Sequence, residues 1–216
     1  LSGCVLSVWR PGPDAPLLFG FTSGFVQRPD GYEAWRRFYQ MPPLRYNELN
    51  PTLLYDALHR GEIDVACGFP TDGRITTYGF RTLADNRRFF PHYDAALLAR
   101  DELFVRMPGL RELLAQLKGS LTEETMRQLN LRVDQDGLDP ALAAAEFLRG
   151  WAPGAGIEWD EARARGKQFD QGGADLVVGA MNTTEQYVLG CLLEQRIDGA
   201  TPWNARLKAG LGSTAI

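Results

Sequence analysis

Short apolar runs alternate along this chain with segments that carry helix signals, and this alternation restricts the possible folds more than any other feature. Apolar runs of strand length occupy residues 17–21, 63–69 and 175–180. Between the first two, Asn50-Pro51 is typical of a helix start, with Asn as the N-cap and Pro at the first helical position. Short buried strands that alternate with capped helices predict an α/β fold.

The remaining segments predict further elements of both kinds. Aromatic residues at helical intervals predict a helix over 32–39, whereas residues 44–49 and 203–209 favour strands. Apolar runs within residues 79–99 predict additional strands. Start and stop signals beyond Asp101 predict helices over 108–117, from Thr122, over 140–149, and over 185–195 behind a cap at Thr183 or Thr184.

Charge and hydropathy argue against two classes of function. The net charge is −4, whereas nucleic-acid binding requires a basic face that neutralises phosphates. No stretch of the sequence approaches the roughly 20 apolar residues that a membrane-spanning helix needs. We therefore expect no nucleic-acid partner and no transmembrane helix within this sequence.

The three cysteines are Cys4, Cys67 and Cys191, which are far apart and form no CxxC pair, so they predict no zinc site. Cys67 and Cys191 have the apolar neighbours typical of buried small side chains, and a disulfide between them stays open. Residues 1–4 (LSGC) resemble a lipobox, the signal for lipid attachment to Cys in bacterial lipoproteins. On that interpretation Cys4 is a lipid anchor; the alternative is a chance run of small residues.

Neither histidine predicts catalysis. His59 falls on the polar side of a predicted helix, which is typical of an exposed residue. His92 and Asp94 would fit part of a hydrolase triad, but no GxSxG nucleophile motif accompanies them. The run GLGST at 210–214 lacks the Lys of a phosphate-binding loop and does not match GxGxxG. We therefore predict no catalytic residue, no metal site, no cofactor and no enzyme activity.

Two aromatic residues stand beside turn motifs rather than at periodic core positions. Phe69 precedes the turn sequence PTDG, and Tyr93 follows Pro91. An α/β sheet presents ligands at the loops beyond its strand ends, and aromatic faces hold quaternary ammonium groups, which cannot donate hydrogen bonds. A carboxylate on the same ligand needs an Arg or backbone N–H groups. The pattern favours an aromatic site for such a cation, and the alternative for Phe69 is a core position.

Three stretches resemble the osmoprotectant family of ABC substrate-binding proteins, whose ligands are glycine betaine, choline and carnitine. They are LLFGFTSGFVQRPDGYEAW at 17–35, LLYDALHRGEIDVACGFPTDGRI at 53–75 and FFPHYDAALLARDEL at 89–103. Residues 114–148 are similar to the family's C-terminal helices. The resemblance implies a two-lobed fold of the type II periplasmic-binding-protein kind, in which a cleft holds the ligand and the lobes close over it.

The resemblance also implies roles for individual residues. Tyr93 matches the cage tyrosine of the family's PYDA motif, and Phe69 stands where the family usually has a Tyr before its TDG turn. Arg28 matches an Arg that is suggested to hold the ligand carboxylate; the alternative is a surface or interlobe Arg. The secondary polar candidates for ligand contact are Thr71, Asp72, Asn182, Thr184 and Gln186.

The order of the segments departs from that of the family. Residues 175–195 and 210–214 resemble the family's opening, yet here they come last, as in a circular permutation or a segment of a longer or tandem protein. The family segment that follows and supplies another cage Tyr is not found. We therefore predict a tail or linker over 1–16, ligand-binding lobe 2 over 17–100 and C-terminal helices that pack on lobe 1 over 101–150. A linker is predicted over 151–173 and a partial, incomplete lobe 1 over 174–216.

These observations predict an extracytoplasmic solute-binding domain of an ABC importer, with a quaternary-ammonium osmoprotectant as ligand and a membrane permease as partner. Attachment to the membrane would use lipid on Cys4 or a fused membrane domain. The alternative is a degenerate or partial lobe with a structural or regulatory role, or one completed by a domain-swapped homodimer. A hydrolase that uses His92 and Asp94 is the third hypothesis.

Overall fold

The computed structural model of the chain describes residues 16–91, 94–151 and 173–211. The chain divides into two compact units, Leu1–Ala96 (unit 1) and Leu97–Ile216 (unit 2).

Several predicted features fall outside the described ranges. The tail predicted over 1–16 and the linker predicted over 151–173 lie there almost entirely. So do Cys4, His92 and Tyr93.

The described residues of unit 1 form the strands β1 (Leu18–Phe21), β2 (Arg45–Glu48) and β3 (Val65–Ala66). Its helices are α1 (Ser23–Gln27), α2 (Tyr32–Phe38), α3 (Pro51–His59) and α4 (Arg74–Thr77). The strands form a parallel sheet in the order β2-β1-β3. β1 is central because it pairs with both neighbours, and three of its four residues are buried. The described residues of unit 1 thus form the α/β arrangement that the sequence predicts.

The aromatic core of unit 1 is centred on Phe21, whose side chain is 0% exposed. The ring of Phe21 lies 5.3 Å from that of Tyr32, 5.5 Å from those of Phe25 and Tyr46, and 6.0 Å from that of Trp35. Tyr32 and Trp35 lie one turn apart on α2, which explains the helical spacing of aromatic residues in the sequence. Burial of this face fixes α2 against the sheet.

Unit 2 contains the helices α5 (Asp101–Arg106), α6 (Leu110–Ala115), α7 (Glu123–Asp134), α8 (Pro140–Trp151) and α9 (Thr184–Ala200). Its strands, β4 (Leu176–Met181) and β5 (Ala205–Leu211), form a parallel pair. α9 contacts α7, α8 and both strands. Its buried residues Val188 and Leu192 pack against α7 and α8. The helices of 101–150 and the segment of 174–211 therefore share one core.

Two sequence predictions about unit 1 and its end are wrong. Strands were expected within 79–99, but the described part of that segment contains none, because the Asp85 carboxylate takes up the backbone N–H groups of Phe89 and Phe90. The strand expected over 63–69 covers only Val65–Ala66, because the chain turns after it.

The disulfide left open between Cys67 and Cys191 is not formed. Cys191 is a free thiol buried in unit 2. Burial, with the nearby charges of Glu194 and Asp139, raises the pKa of the Cys191 thiol to about 12. Cys191 therefore stays protonated at neutral pH and acts as a small core side chain.

Among the described residues, no helix is both long enough and apolar enough to cross a bilayer.

Candidate functional site

Phe69 stands in the turn that follows β3, and its side chain points outward. The residue is 64% exposed, which is unusual for a phenyl ring. Its backbone is nevertheless held on both sides, because its N–H donates to Tyr55 Oη at 2.7 Å and its carbonyl accepts from Tyr55 Oη at 3.2 Å. The carbonyl also accepts from the N–H of Asp72 at 3.1 Å. The structure thus presents an exposed ring on an ordered turn, at the carboxyl end of a parallel strand, where α/β sheets bind ligands.

The polar residues of the same turn are engaged within the protein. Asp72 accepts from Arg74 twice, with Oδ1 3.0 Å from Nε and Oδ2 2.9 Å from Nη2. This pairing raises the pKa of Arg74, mainly through the hydrogen bond to Asp72. Thr71 is only 5% exposed. Both residues are predicted ligand contacts, and in this structure Asp72 is paired with Arg74 while Thr71 is buried in the turn that carries Phe69.

Arg28 pairs with the carboxylate two residues further along the chain. Its Nε lies 2.9 Å from Oδ1 of Asp30 and its Nη2 lies 2.5 Å from Oδ2. The hydrogen bond from Arg28 lowers the pKa of Asp30. Both side chains are about half exposed or more, at 48% and 63%. A ligand carboxylate would have to compete with Asp30 for this guanidinium, and the geometry fits the alternative of a surface Arg.

Asp85 organises the segment that leads to residues 91–94. Its carboxylate accepts from the hydroxyl of Tyr39 and from the N–H groups of Phe89 and Phe90, at 3.0 and 2.8 Å. Burial alone would raise the pKa of Asp85, but these hydrogen bonds outweigh it and lower the pKa below its ordinary value. Asp85 thereby orders the chain just before Tyr93, which itself lies outside the described residues.

Replacing Asp85 by Asn is expected to lower the free energy of unfolding by about 1–2 kcal/mol at pH 7, because an amide cannot accept all three hydrogen bonds. The folded-state pKa is depressed, so the stability that Asp85 contributes is present above the unfolded pKa of about 3.9 and is lost as the pH falls through the folded pKa.

Urea unfolding at several pH values checks this expectation. The difference between wild type and Asp85→Asn should shrink below about pH 4. The exposed Asp136 supplies a control, Asp136→Asn, which should differ little from wild type at any pH. A difference for Asp85→Asn that grows as the pH falls would contradict the assignment.

The three candidates in unit 2 lie at the start of α9. Thr183 is the N-cap and accepts from the N–H of Gln186 at 3.3 Å. Thr184 donates to Oδ1 of Asp134 at 2.6 Å, which ties α9 to α7. Asn182 is exposed and accepts from the hydroxyl of Tyr187 at 2.6 Å. Thr184 and Gln186 are half-buried and Asn182 is exposed, and their roles as ligand contacts stay predictions.

The structure brings together some of the predicted residues and reveals others. Phe69, Thr71 and Asp72 share one turn, whereas Arg28 lies in the connection between α1 and α2 of the same unit. Sequence reasoning missed Tyr55 and Arg74, which support that turn. A Tyr on the buried face of a helix gives no local sign of a partner 14 residues away. Within the part of the chain that the structure describes, no cluster of His, Cys, Asp or Glu could hold a metal ion.

Similarity to solved structures defines the class of protein. A crystal structure of a glycine betaine/carnitine/choline ABC transporter is similar at 36% sequence identity and a TM-score of 0.57, over 62% of this chain and 50% of that chain. Apo YehZ from Escherichia coli, at 24% identity and a TM-score of 0.51, shows the same fold over 64% of this chain and 52% of that one. The prediction of an α/β fold of the periplasmic substrate-binding kind is confirmed.

Comparison with protein families then gives the membership. Residues 11–150 match the OpuAC family, described as the substrate-binding domain of the ABC-type glycine betaine transport system. The chain belongs to this family, so the family prediction is confirmed. The family is one of transport binding proteins rather than enzymes, and such domains of ABC importers are extracytoplasmic.

Individual relatives agree with this membership. The carnitine transport binding protein OpuCC of Listeria monocytogenes is 37% identical over 62% of this chain and 44% of its own length. The glycine-betaine-binding protein of Pseudomonas aeruginosa is 32% identical over 63% of this chain and 45% of its own length. The chain thus spans a little under half the length of these relatives. The ergothioneine transport permease/ergothioneine binding protein EgtU of Helicobacter pylori is 28% identical over 60% of this chain.

Proposed function

We propose that this chain provides an extracytoplasmic solute-binding domain of an ABC importer and that its ligand is a quaternary-ammonium osmoprotectant. The observation that carries the proposal is the exposed ring of Phe69 on a backbone-anchored turn at the carboxyl end of β3. Such a ring offers its negative face to a cation that cannot donate hydrogen bonds. The names of the relatives, which bind carnitine and glycine betaine, favour the same ligand class.

The proposal assigns binding, not catalysis, to the predicted site. Phe69 and Tyr93 supply aromatic faces for the cation. The polar candidates Thr71, Asp72, Asn182, Thr184 and Gln186 stay predictions. Arg28 is the weaker candidate for the carboxylate, since Asp30 already pairs with it. The partner is the permease of the importer, and the fusion of permease and binding protein in EgtU illustrates such a pairing. A lipid anchor on Cys4 stays a prediction.

The permuted segment order also enters the proposal. Residues 101–150 and 174–216 together form one lobe of the binding protein, as expected if the segment that resembles the family's opening packs on the C-terminal helices. The contacts of α9 with α7 and α8 support this assignment, as does the hydrogen bond between Thr184 and Asp134.

Calorimetric titration with glycine betaine, choline and carnitine tests the proposal. Wild type should bind at least one of them, and Phe69→Ala should weaken that binding by about 1–2 kcal/mol, or roughly 5- to 30-fold in Kd. Phe69→Tyr keeps the aromatic face and should bind like wild type. Tyr93→Ala should lose affinity to a similar extent.

Two controls make the test specific. Phe38→Ala removes another partly exposed ring, 40% exposed on α2, and should leave Kd unchanged. The uncharged choline analogue 3,3-dimethyl-1-butanol has nearly the same shape and should not bind, because it lacks the cation. Equal binding of choline and this analogue, or unchanged affinity of Phe69→Ala, would refute the aromatic cation site. A folded chain that binds no member of the panel would instead favour the partial or degenerate lobe.

A further inference from the structure

Tyr55 lies behind the turn of Phe69 and makes an unusual pair of contacts with it. The side chain belongs to α3 and is 4% exposed. Its hydroxyl accepts from the N–H of Phe69 at 2.7 Å and donates to the carbonyl of the same residue at 3.2 Å. One hydroxyl thus holds both polar groups of a single residue. The side chain of that residue is 64% exposed, so the fold restrains its backbone while leaving its ring free.

Further contacts fix Tyr55 in this position. The guanidinium of Arg74 lies 4.4 Å from the centre of the Tyr55 ring, and Asp72 holds Arg74 through two hydrogen bonds. Burial raises the pKa of Tyr55, so its hydroxyl keeps the proton that it donates to Phe69. Asp72, Arg74 and Tyr55 therefore form a chain of contacts that ends on the backbone of Phe69.

Gly68 shows how closely Tyr55 approaches the turn. A Cβ built at Gly68 would lie 2.3 Å from Tyr55 Oη and 2.8 Å from its Cζ. Atoms at such separations overlap, so any side chain at residue 68 would displace the hydroxyl from Phe69. Only glycine at this residue permits the contact as the structure has it.

We propose that Tyr55 is a positioning residue for ligand binding, which orients the ring of Phe69 through hydrogen bonds to its backbone without touching the ligand. This inference rests on the proposed function, because it assumes that Phe69 contacts the ligand. Its physical basis is preorganisation: a ring already held in its binding orientation loses less conformational freedom when the ligand arrives. A ring on a loose turn would bind the same ligand more weakly.

Tyr55→Phe is the first variant, since it removes the hydroxyl and keeps the buried ring. Tyr78→Phe is the matched control, because the hydroxyl of Tyr78 donates to Asp56, on α3, and has no bond to Phe69. Tyr55→Phe should raise the Kd for the bound betaine or choline about 5-fold, because both hydrogen bonds to the Phe69 backbone are lost and the ring is less well preorganised. Tyr78→Phe should leave Kd unchanged. Gly68→Ala should raise Kd to a similar extent, because its Cβ would push the Tyr55 hydroxyl away from Phe69.

A double-mutant cycle separates positioning from general stabilisation. If Tyr55 acts through the Phe69 ring, Tyr55→Phe should change Kd less than about 2-fold once Phe69 is already Ala. A loss of affinity that is equally large in the Phe69→Ala background would overturn the inference, because the effect would then bypass the ring.

Hydrogen exchange of the Phe69 amide tests the same contact without any ligand. The N–H that donates to Tyr55 should exchange about 5-fold faster in Tyr55→Phe and should be unchanged in Tyr78→Phe. Unchanged exchange in Tyr55→Phe would overturn the positioning role even if ligand binds. If wild type binds none of the panel but the exchange result is as expected, the proposed function fails while the restraint of the turn by Tyr55 stands.

Discussion

Phe21→Ala is expected to lower the free energy of unfolding by about 4 kcal/mol, within the range for removing a buried phenyl ring. Phe21 is fully buried in the central strand β1. Its ring lies within 6.0 Å of the rings of Tyr32, Trp35 and Tyr46. These rings belong to α2 and β2, so they cannot close on the cavity without moving a helix or a strand. A cavity that does not collapse gives the full loss.

Urea unfolding followed by circular dichroism measures this loss, and Phe38→Ala is the control. Phe38→Ala also removes a phenyl ring, but from a residue that is 40% exposed and that contacts Phe89 and Arg87. Its replacement should cost about 1 kcal/mol or less. Equal midpoints for the two variants would show that the aromatic cluster around Phe21 is not the core of unit 1.

Gly31→Ala is expected to lower the free energy of unfolding by about 3 kcal/mol, as for other overpacking substitutions. A Cβ at residue 31 would lie 1.9 Å from the carbonyl oxygen of Phe25 and 3.0 Å from that of Arg28. Both are backbone atoms, so relief requires movement of α1 or of the turn that joins it to α2. The same turn positions Arg28 and supplies the N-cap of α2, so we expect the substitution to disturb both the position of Arg28 and the start of α2.

The control for Gly31→Ala is Gly24→Ala. Gly24 lies within α1, and a Cβ there would meet no atom within 4 Å. Alanine favours the helical conformation over glycine by about 1 kcal/mol, so Gly24→Ala should be neutral or slightly stabilising. Thermal melting of the two variants side by side checks the pair. If the melting temperature of Gly31→Ala equals that of wild type, the turn between α1 and α2 accommodates the added Cβ at no measurable cost, which contradicts the prediction.

Local signals predicted the elements that depend on neighbouring residues. Asn50 and Pro51 predict the start of α3. In the structure the carbonyl of Asn50 accepts the first helical hydrogen bonds, from the N–H groups of Leu53 and Leu54. The side chain of Thr122 caps α7 as expected, accepting from the N–H of Thr125 at 3.1 Å. In each case the signal and its partner lie within four residues, so periodicity and cap chemistry suffice.

Sequence patterns predicted the wrong structure where a residue far away in the sequence competes with the local preference. The apolar residues of 79–99 favour strands, yet Asp85 takes up the N–H groups of Phe89 and Phe90 and bonds to Tyr39, 46 residues earlier. Apolar composition alone predicts a buried strand here, yet the described apolar side chains of this segment are only partly buried or are exposed, as for Leu83 at 38% and Leu98 at 89%. Hydrogen bonds to Asp85 favour the loop over a strand, and the periodicity of the sequence gives no sign of them.

The sequence by itself determined the α/β class, the main helix starts and, through its motifs, the family of binding domains. Only the tertiary structure decided which polar side chains are already occupied within the protein. Thr184 bonds to Asp134 across 50 residues, and Tyr55 holds Phe69 across 14. The physical reason is the distance along the chain over which each interaction acts. Strand and helix preferences arise between neighbours in sequence, whereas the partner of a hydroxyl or of a ring is whichever residue the fold places beside it. The exposure of Phe69 became apparent only when its surroundings were known.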